Sequence, residues 1–473
     1  MTIQDLPQAF CVRMKHILGE DYAAFLSSYD HDTAAQRGLR VNPFKYQREA
    51  LLANVDFPLR PTVFEENGFY LDCKETGCGN YPLHHAGAFY LQEPAAMLPV
   101  AAAEAYLHKG DFVLDVCAAP GGKSTQLASK IGTEGLLVAN EFVPSRAKIL
   151  LSNIERLGIP NAVVTNTDSA HLRNWYAGCF DAVLVDAPCS GEGMFRKNPQ
   201  AIAEWSEENI AMCAKRSFEI LCDAQECLRP GGVLIYATCT FAPEENEELI
   251  ARFVKAFPEY TIEAFPKSIQ DITARGIAAA DCEQDTTRTA RCYPHVTGGE
   301  GQFVCIMTKQ KDCAAARKPI LMTRPWETLT GDENRAVQAL LDDLFGHSTA
   351  LFSVKKRGGQ LYAVPPQLAV SGECFCCGVK FGECRGSRIV PHHQLFSAYG
   401  MYMRRKWNFS AEDPRMIHYL HGDVISVANS DGIGEPGDGF GCVMVDGCAL
   451  GGAKCVGTVL KNHYPKGLRV QGV

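Results

Sequence analysis

Two cysteines stand where an open α/β fold presents ligand-facing side chains, at the ends of apolar strand-like runs. Cys189 lies in Asp186-Ala187-Pro188-Cys189-Ser190-Gly191, and Cys239 in Thr238-Cys239-Thr240. A third segment, Asp115-Val116-Cys117-Ala118-Ala119-Pro120-Gly121-Gly122-Lys123-Ser124, joins the apolar run 112–116 to a helix-compatible stretch through a tight glycine turn. Such a turn aims backbone N–H groups at a charged small molecule. Cys239 precedes Pro243-Glu244-Glu245-Asn246, which reads as a helix start with proline in its first turn. A thiol near a helix N-terminus is biased toward thiolate. Cys189 is exposed by its Pro-Cys-Ser-Gly turn, so two thiols and a cofactor loop converge on one site.

Two nucleotide-binding readings compete for the loop. A phosphate-cradling NTPase loop needs Gly, four residues, then Gly-Lys-Ser/Thr. Gly122-Lys123-Ser124 supplies the second half, but Cys117 stands where the first glycine should be. A methyltransferase reading instead predicts an acid at the end of the next strand to accept two ribose hydroxyls, about twenty residues on. Glu141 is there, and Asp168, after the run 162–164, is placed to accept from an adenine amino group or to cap a turn. The loop, Glu141, Asp168 and Asp186 fall on four consecutive strand ends.

The thiols suit chemistry at carbon 5 of a pyrimidine. That carbon is too weak a nucleophile to take a sulfonium methyl directly, so a nucleophile must first add at carbon 6. Asp186, against the N3 or amino edge, would stabilise the electron-rich ring. The carbon-5 proton must then leave, to a second thiolate or a positioned water, before the adduct breaks.

The elements that must position these groups follow a strand–helix rhythm. Apolar runs at 112–116, 135–140, 162–165, 182–185 and 233–237 alternate with amphipathic stretches such as 144–157 and 206–228. This predicts an α/β fold: a mostly parallel sheet with helices on both faces. The stretches 290–294 and 302–307 around Thr297-Gly298-Gly299-Glu300-Gly301 predict a closing hairpin, the plan of S-adenosylmethionine-dependent, Rossmann-like methyltransferases. We divide the chain into an N-terminal RNA-binding segment (1–84), a catalytic domain (85–310), a linker (311–330) and an accessory β-rich region (331–473). The first of these reads as mixed helical, followed by the basic stretch Arg37-Gly38-Leu39-Arg40-Val41.

The 473 residues include 21 cysteines and carry a formal charge of −8. With no apolar run of spanning length and no secretory core at the N-terminus, the expectation is a soluble cytoplasmic protein with reduced cysteines. The net charge argues mildly against nucleic acid, but its distribution does not. Between Arg385 and Ala411 no acid occurs, while Arg385, Arg388, Arg404, Arg405 and Lys406 lie among Tyr399, Tyr402 and Trp407. After Asp446, Lys454, Lys461, Lys466 and Arg469 accompany His463 and Tyr464. Cations interleaved with aromatics suit RNA phosphates and unstacked bases. Cys374, Cys376, Cys377 and Cys384, near His392 and His393, have zinc-ligand types without the usual spacing, and Cys73, Cys78, His84 and His85 form a looser group. No metal is expected at either.

These motifs resemble the Nop/Sun family of RNA cytosine-5 methyltransferases, over roughly residues 35 to 310. Cys117–Lys123 resembles the family's cofactor loop, Asp186–Gly191 its proline-cysteine motif, and Thr238-Cys239 its threonine-cysteine motif. Tyr90-Leu91-Gln92-Glu93-Pro94 and Arg291-Cys292-Tyr293-Pro294-His295 are similar to flanking segments, and 450–454 and 460–467 to a PUA-like module of the bacterial 16S rRNA branch. The resemblance implies that Cys239 is the nucleophile, that Cys189 assists product release and that Asp186 serves catalysis. It implies S-adenosylmethionine contacts from Cys117, Ala118, Ala119, Pro120, Gly121, Gly122, Lys123, Glu141, Arg146, Asp168 and Asp186. The implied product is 5-methylcytosine in 16S rRNA, free or in the 30S subunit. The alternatives are a tRNA cytosine-5 methyltransferase and a non-catalytic ribosome-assembly factor.

Overall fold

The computed structural model describes residues 3–29, 37–71, 77–310, 317–320, 326–346, 350–368, 373–386 and 388–470. Cys73 and the linker residues 311–316 and 321–325 lie outside the described residues.

A ten-stranded sheet organises the catalytic region. Its five central strands run parallel in the spatial order Leu228–Thr238, Phe180–Asp186, Phe112–Asp115, Leu136–Asn140, Ala162–Thr165. Every residue of Leu136–Asn140 and Ala162–Thr165 is buried, as expected where helices cover both faces of a parallel sheet. Apolar cores fill both faces, one around Leu98, Leu127 and Leu150, the other around Leu172, Leu221 and Phe253. The chain builds outward from Phe112–Asp115 to one side, then returns to lay Phe180–Asp186 on its other side. This reversal opens a crevice at the carboxyl ends of those two strands, between Asp115 and Asp186. The expected closing hairpin is present: Gln302–Lys309 runs antiparallel to both Ala290–Cys292 and Leu228–Thr238.

The opposite edge departs from the sequence reading. Cys374–Cys377, placed in the accessory region, is an edge strand of this same sheet, antiparallel to Ala162–Thr165. Cys376 and Cys377 are buried in the two cores, acting as small hydrophobes. Among the described residues, no group of three or more His, Cys, Asp or Glu could hold a metal ion.

The N-terminal region is not simply helical. Helices Gln8–Leu18 and Tyr22–Ser27 are followed by a four-stranded antiparallel sheet in the order Leu59–Pro61, Gly68–Leu71, Arg37–Val41, Phe89–Leu91. The basic stretch is thus an inner strand, with Leu39, Arg40 and Val41 all buried. The two helices pack Phe10 and Phe25 against Phe195 and Phe241, on segments that follow the two cysteines of the site, and against Tyr293.

Two further sheets form the C-terminal region, of four and six strands. The larger shares one core with the N-terminal sheet, where Leu39, Val41 and Phe89 meet Trp407, Met416 and Leu450. Across this junction buried Lys45 Nζ donates to Ser397 Oγ at 2.9 Å. Several groups expected to face RNA are consumed here. Tyr399, Trp407 and Tyr464 are buried, and Arg405 donates to Phe440 O at 3.0 Å and pairs with Asp343. Arg385, Arg388, Tyr402, Lys454, Lys461 and Lys466 remain exposed. Among the described residues, no helix is long and apolar enough to cross a membrane.

Candidate active site

The glycine loop bends into helix Gly122–Ile131 through Gly121, whose φ of 115° a side chain would strain. It encloses a cavity of about 170 Å³ lined by Cys117, Ala118, Ala119, Pro120, Gly122 and Lys123, with Asp115 and Asp186 from the strand ends and Tyr90 to Glu93 from the N-terminal sheet. Asp115 accepts from Ser124 Oγ at 2.6 Å, and its carboxyl is pushed up to about 7 by burial. Burial disfavours a charged Lys123, but its 2.9 Å ion pair with Asp186, with Cys239 and Asp115 nearby, holds it above its ordinary value. Burial pushes the Cys117 thiol far up.

Glu141 lies just outside that lining and is 3% exposed. Its Oε1 accepts from Val143 N at 2.9 Å. Arg146 Nη1 sits 3.3 Å from the other oxygen, while Nη2 donates to Ala119 O at 3.0 Å, tying the acid to the loop. Glu141 Oε2 and Asp115 Oδ1 are nonetheless buried acceptors without a hydrogen bond among the described residues. Two buried carboxylate oxygens without a hydrogen-bond donor, one of them only ion-paired with Arg146, fit a ligand with hydroxyl and ammonium donors, which describes S-adenosylmethionine. Asp168 stands apart from the cavity lining. It caps helix Ser169–Tyr176, accepting from His171 N at 2.9 Å and pairing with His171 Nδ1 at 2.8 Å, contacts that hold it below the usual carboxylate range.

The cysteines meet. Cys189 Sγ and Cys239 Sγ are 3.3 Å apart, and the bond to Cys239, together with burial, keeps the Cys189 thiol well above its ordinary value. Both turns are fixed by buried acids. Glu245 accepts from Ser190 N at 3.0 Å and from Ser190 Oγ, while Glu192 accepts from Thr240 Oγ1 at 3.0 Å and Phe241 N at 2.9 Å. Ser190 Oγ and Thr240 Oγ1 are 2.8 Å apart, so each acid braces one cysteine turn against the other. Gly193 N donates to Cys239 O at 2.9 Å, and a Cβ on Gly193 would fall 2.6 Å from Gly301 Cα, which only glycine permits. The expected helix start after Cys239 is a 3₁₀ turn, Pro243–Glu245, with the α-helix beginning at Glu247.

Three family descriptions match in chain order: the N-terminal domain of 16S rRNA methyltransferase RsmF over residues 6–94, 16S rRNA methyltransferase RsmB/F over 104–308, and the methyltransferase RsmF PUA domain over 406–470. The chain is 34% identical to ribosomal RNA small subunit methyltransferase F of Serratia proteamaculans, the alignment covering 99% of this chain and 97% of that protein. It is 30% identical to the protein of the same name from Vibrio campbellii, over 98% and 97%. The chain belongs to the 16S rRNA methyltransferase RsmB/F family.

Among solved structures, a methyltransferase homolog from Pyrococcus horikoshii superposes with a TM-score of 0.56 at 26% identity, covering 64% of this RsmB/F chain and 95% of the other. NSun6 from the same organism, solved with SFG, shares the fold at a TM-score of 0.54 and 20% identity, over 65% and 99%.

Sequence reasoning missed four residues of this RsmB/F site. Arg40 is buried and drawn down to about 10 by burial; it donates to Gln92 Oε1 at 3.0 Å, Gly122 O at 3.2 Å and Thr125 Oγ1 at 2.7 Å. It therefore fixes helix Gly122–Ile131 to the N-terminal sheet and is not available to RNA. Gln92 continues that contact, and Glu192 and Glu245 hold the cysteine turns. The proximity of Glu192 to Gly191 and Gly193 was the one signal available, since a sequence does not mark which acids are buried.

Proposed function

We propose that this chain methylates carbon 5 of a cytosine in 16S rRNA through a covalent Cys239 adduct. The observation that carries the reading is the approach of Cys189 and Cys239 to 3.3 Å at the strand ends that flank the Lys123–Asp186 pair. The Cys117–Lys123 loop, Glu141, Arg146 and Asp168 would hold S-adenosylmethionine, which would supply an electrophilic methyl group.

The Cys239 thiolate adds to carbon 6 of the cytosine, forming a C–S bond and pushing an electron pair toward carbon 5. Asp186 stabilises the electron-rich ring at its N3 edge, and Lys123 fixes the orientation of that carboxylate. Carbon 5 would then take the methyl as the S–CH3 bond breaks, its electrons staying on sulfur to leave S-adenosylhomocysteine, and would keep its hydrogen. Cys189, having released its own proton to solvent, accepts the carbon-5 proton; the C–S bond electrons then return to Cys239 and the 5-6 double bond re-forms. The target base must be splayed out to enter the crevice, which favours a single-stranded or locally opened cytosine. Full-length similarity to proteins named for the small ribosomal subunit favours 16S rRNA over tRNA, with the assembled 30S subunit as the candidate particle and the cytoplasm as the compartment.

The test is methyl transfer from labelled S-adenosylmethionine to 16S RNA, 30S subunits and bulk tRNA by wild type, Cys239→Ala and Cys189→Ala, with denaturing gels for trapped complexes. The expected result is an inactive Cys239→Ala and a covalent RNA adduct accumulating with Cys189→Ala. An active Cys239→Ala overturns the nucleophile assignment, and transfer to tRNA alone overturns the substrate.

A further inference from the structure

A second cavity, of about 270 Å³, lies beside the first and shares Leu91, Gln92 and Glu93 with it as a common wall. Two cations line it, Arg37 and Lys197, above an apolar surface of Leu71, Cys78 and Leu91. Leu91 is 38% exposed, a large side chain left open to solvent on an otherwise buried strand. Arg37 is exposed and makes no ion pair among the described residues. Lys197 lies 3.5 Å from Glu300 Oε1, but that carboxylate is also engaged by Arg196 Nε at 3.3 Å, so Lys197 keeps donor capacity. The acid in the wall is occupied: Glu93 accepts from Ala96 N at 2.8 Å and Glu300 N at 2.9 Å.

We propose that this cavity seats the nucleotide adjoining the target cytosine, its phosphate between Arg37 and Lys197 and its base on Leu91. The inference rests on the RNA-methyltransferase reading and adds to it a path for the strand. Lys197 closes the segment that starts at Cys189, and that segment is tied to the nucleophile through the Gly193 N to Cys239 O bond. Arg37 opens the strand whose next residues, Gly38 and Arg40, hold Gln92 and the cofactor helix. The backbone carrying each cation is thus tied to elements that build the site. A base extruded against Asp186, on the wall of the cofactor cavity, leaves its neighbour on the same strand beside it, where a phosphate needs cations and an unstacked base needs an apolar face.

The test uses the full chain as wild type, Arg37→Ala, Lys197→Ala and Gly79→Phe. Gly79 lines the cavity and a Cβ on it meets only Leu91 Cδ1 at 4.0 Å, so a phenylalanine there adds bulk at the cavity wall. The readouts are KM and kcat for 16S RNA across a salt series and the Kd for S-adenosylmethionine. The two alanine variants are expected to raise the RNA KM about fivefold to tenfold with kcat and cofactor Kd unchanged, and to lower the salt dependence by roughly one phosphate contact each. Gly79→Phe is expected to raise KM with the salt dependence unchanged. An active wild type with all three variants at its KM overturns this inference and leaves the enzymatic reading standing. A wild type that methylates no RNA overturns both. A rise in KM with Gly79→Phe but with neither alanine variant overturns the phosphate assignment.

Discussion

The sulfur atoms of Cys189 and Cys239 approach to 3.3 Å, although the two residues end different parallel strands and meet only because those strands are neighbours in the sheet. Oxidation should exploit this. Diamide, itself reduced to the hydrazine, should take two hydrogens and join the pair, abolishing methyl transfer until dithiothreitol is added. Peptide mapping should show a Cys189–Cys239 cross-link and a mass loss of about 2 Da, absent from Cys189→Ser. Persistent activity in the fully oxidised protein would contradict a role for either thiol.

Lys123 and Asp186 form a largely buried ion pair, so removing one member strands the other. Lys123→Met should cost about 2 kcal/mol of unfolding free energy and lower kcat by roughly a hundredfold. In a double-mutant cycle with Asp186→Asn, urea unfolding should give a combined loss smaller than the sum of the single losses.

Arg40→Met should separate cofactor binding from RNA binding. It removes donors to Gln92, Gly122 O and Thr125, so the loop loses its anchor on the N-terminal sheet. The Kd for S-adenosylmethionine, measured by calorimetry, should rise about tenfold, with a stability loss of about 2 kcal/mol. The KM for RNA should change less, because the guanidinium is buried away from solvent.

Glu245 gives the site a pH signature. Burial pushes its carboxyl from the ordinary 4.5 up to about 7, overriding the Ser190 hydrogen bonds that favour ionisation. Below 4.5 the folded and unfolded states both hold the proton. Between 4.5 and 7 the folded state holds more, so this residue's contribution to stability falls as pH rises, and the loss is complete above the folded value. Glu245→Gln removes the dependence. Comparing urea unfolding of the two proteins between about pH 5 and pH 7 should show wild type losing ground by at most about 1.4 kcal/mol per pH unit. Parallel profiles would mean that Glu245 is ionised throughout.

Much of this arrangement was legible in the residues. Fully apolar runs of Val, Leu and Ala separated by amphipathic stretches dictate a parallel sheet, because only strands covered on both faces can dispense with polar alternation. The loop and both cysteine motifs were equally readable, since a glycine turn and a strand end place their side chains through local geometry alone. The comparisons then bore out the resemblance, while the individual roles of Cys189, Cys239 and the cofactor contacts await the experiments above.

What sequence could not supply was the fate of its charged and aromatic residues. Arg37 and Arg40, three residues apart, look alike in a basic stretch; one lines an open cavity and the other is buried against helix Gly122–Ile131. Trp407 and Arg405 look like RNA contacts until the N-terminal and C-terminal sheets are seen to share a core. Cys374–Cys377 carries no mark of the sheet it joins, since an edge strand is chosen by whichever free edge lies within reach. The sequence by itself determined the α/β core, the cofactor loop and the two candidate thiols, because these depend on short-range spacing and burial pattern. Only the tertiary structure decided that the thiols touch, that Glu192 and Glu245 brace them, and which cations remain free, because long-range pairing determines whether a charge is neutralised inside the fold or left for a ligand.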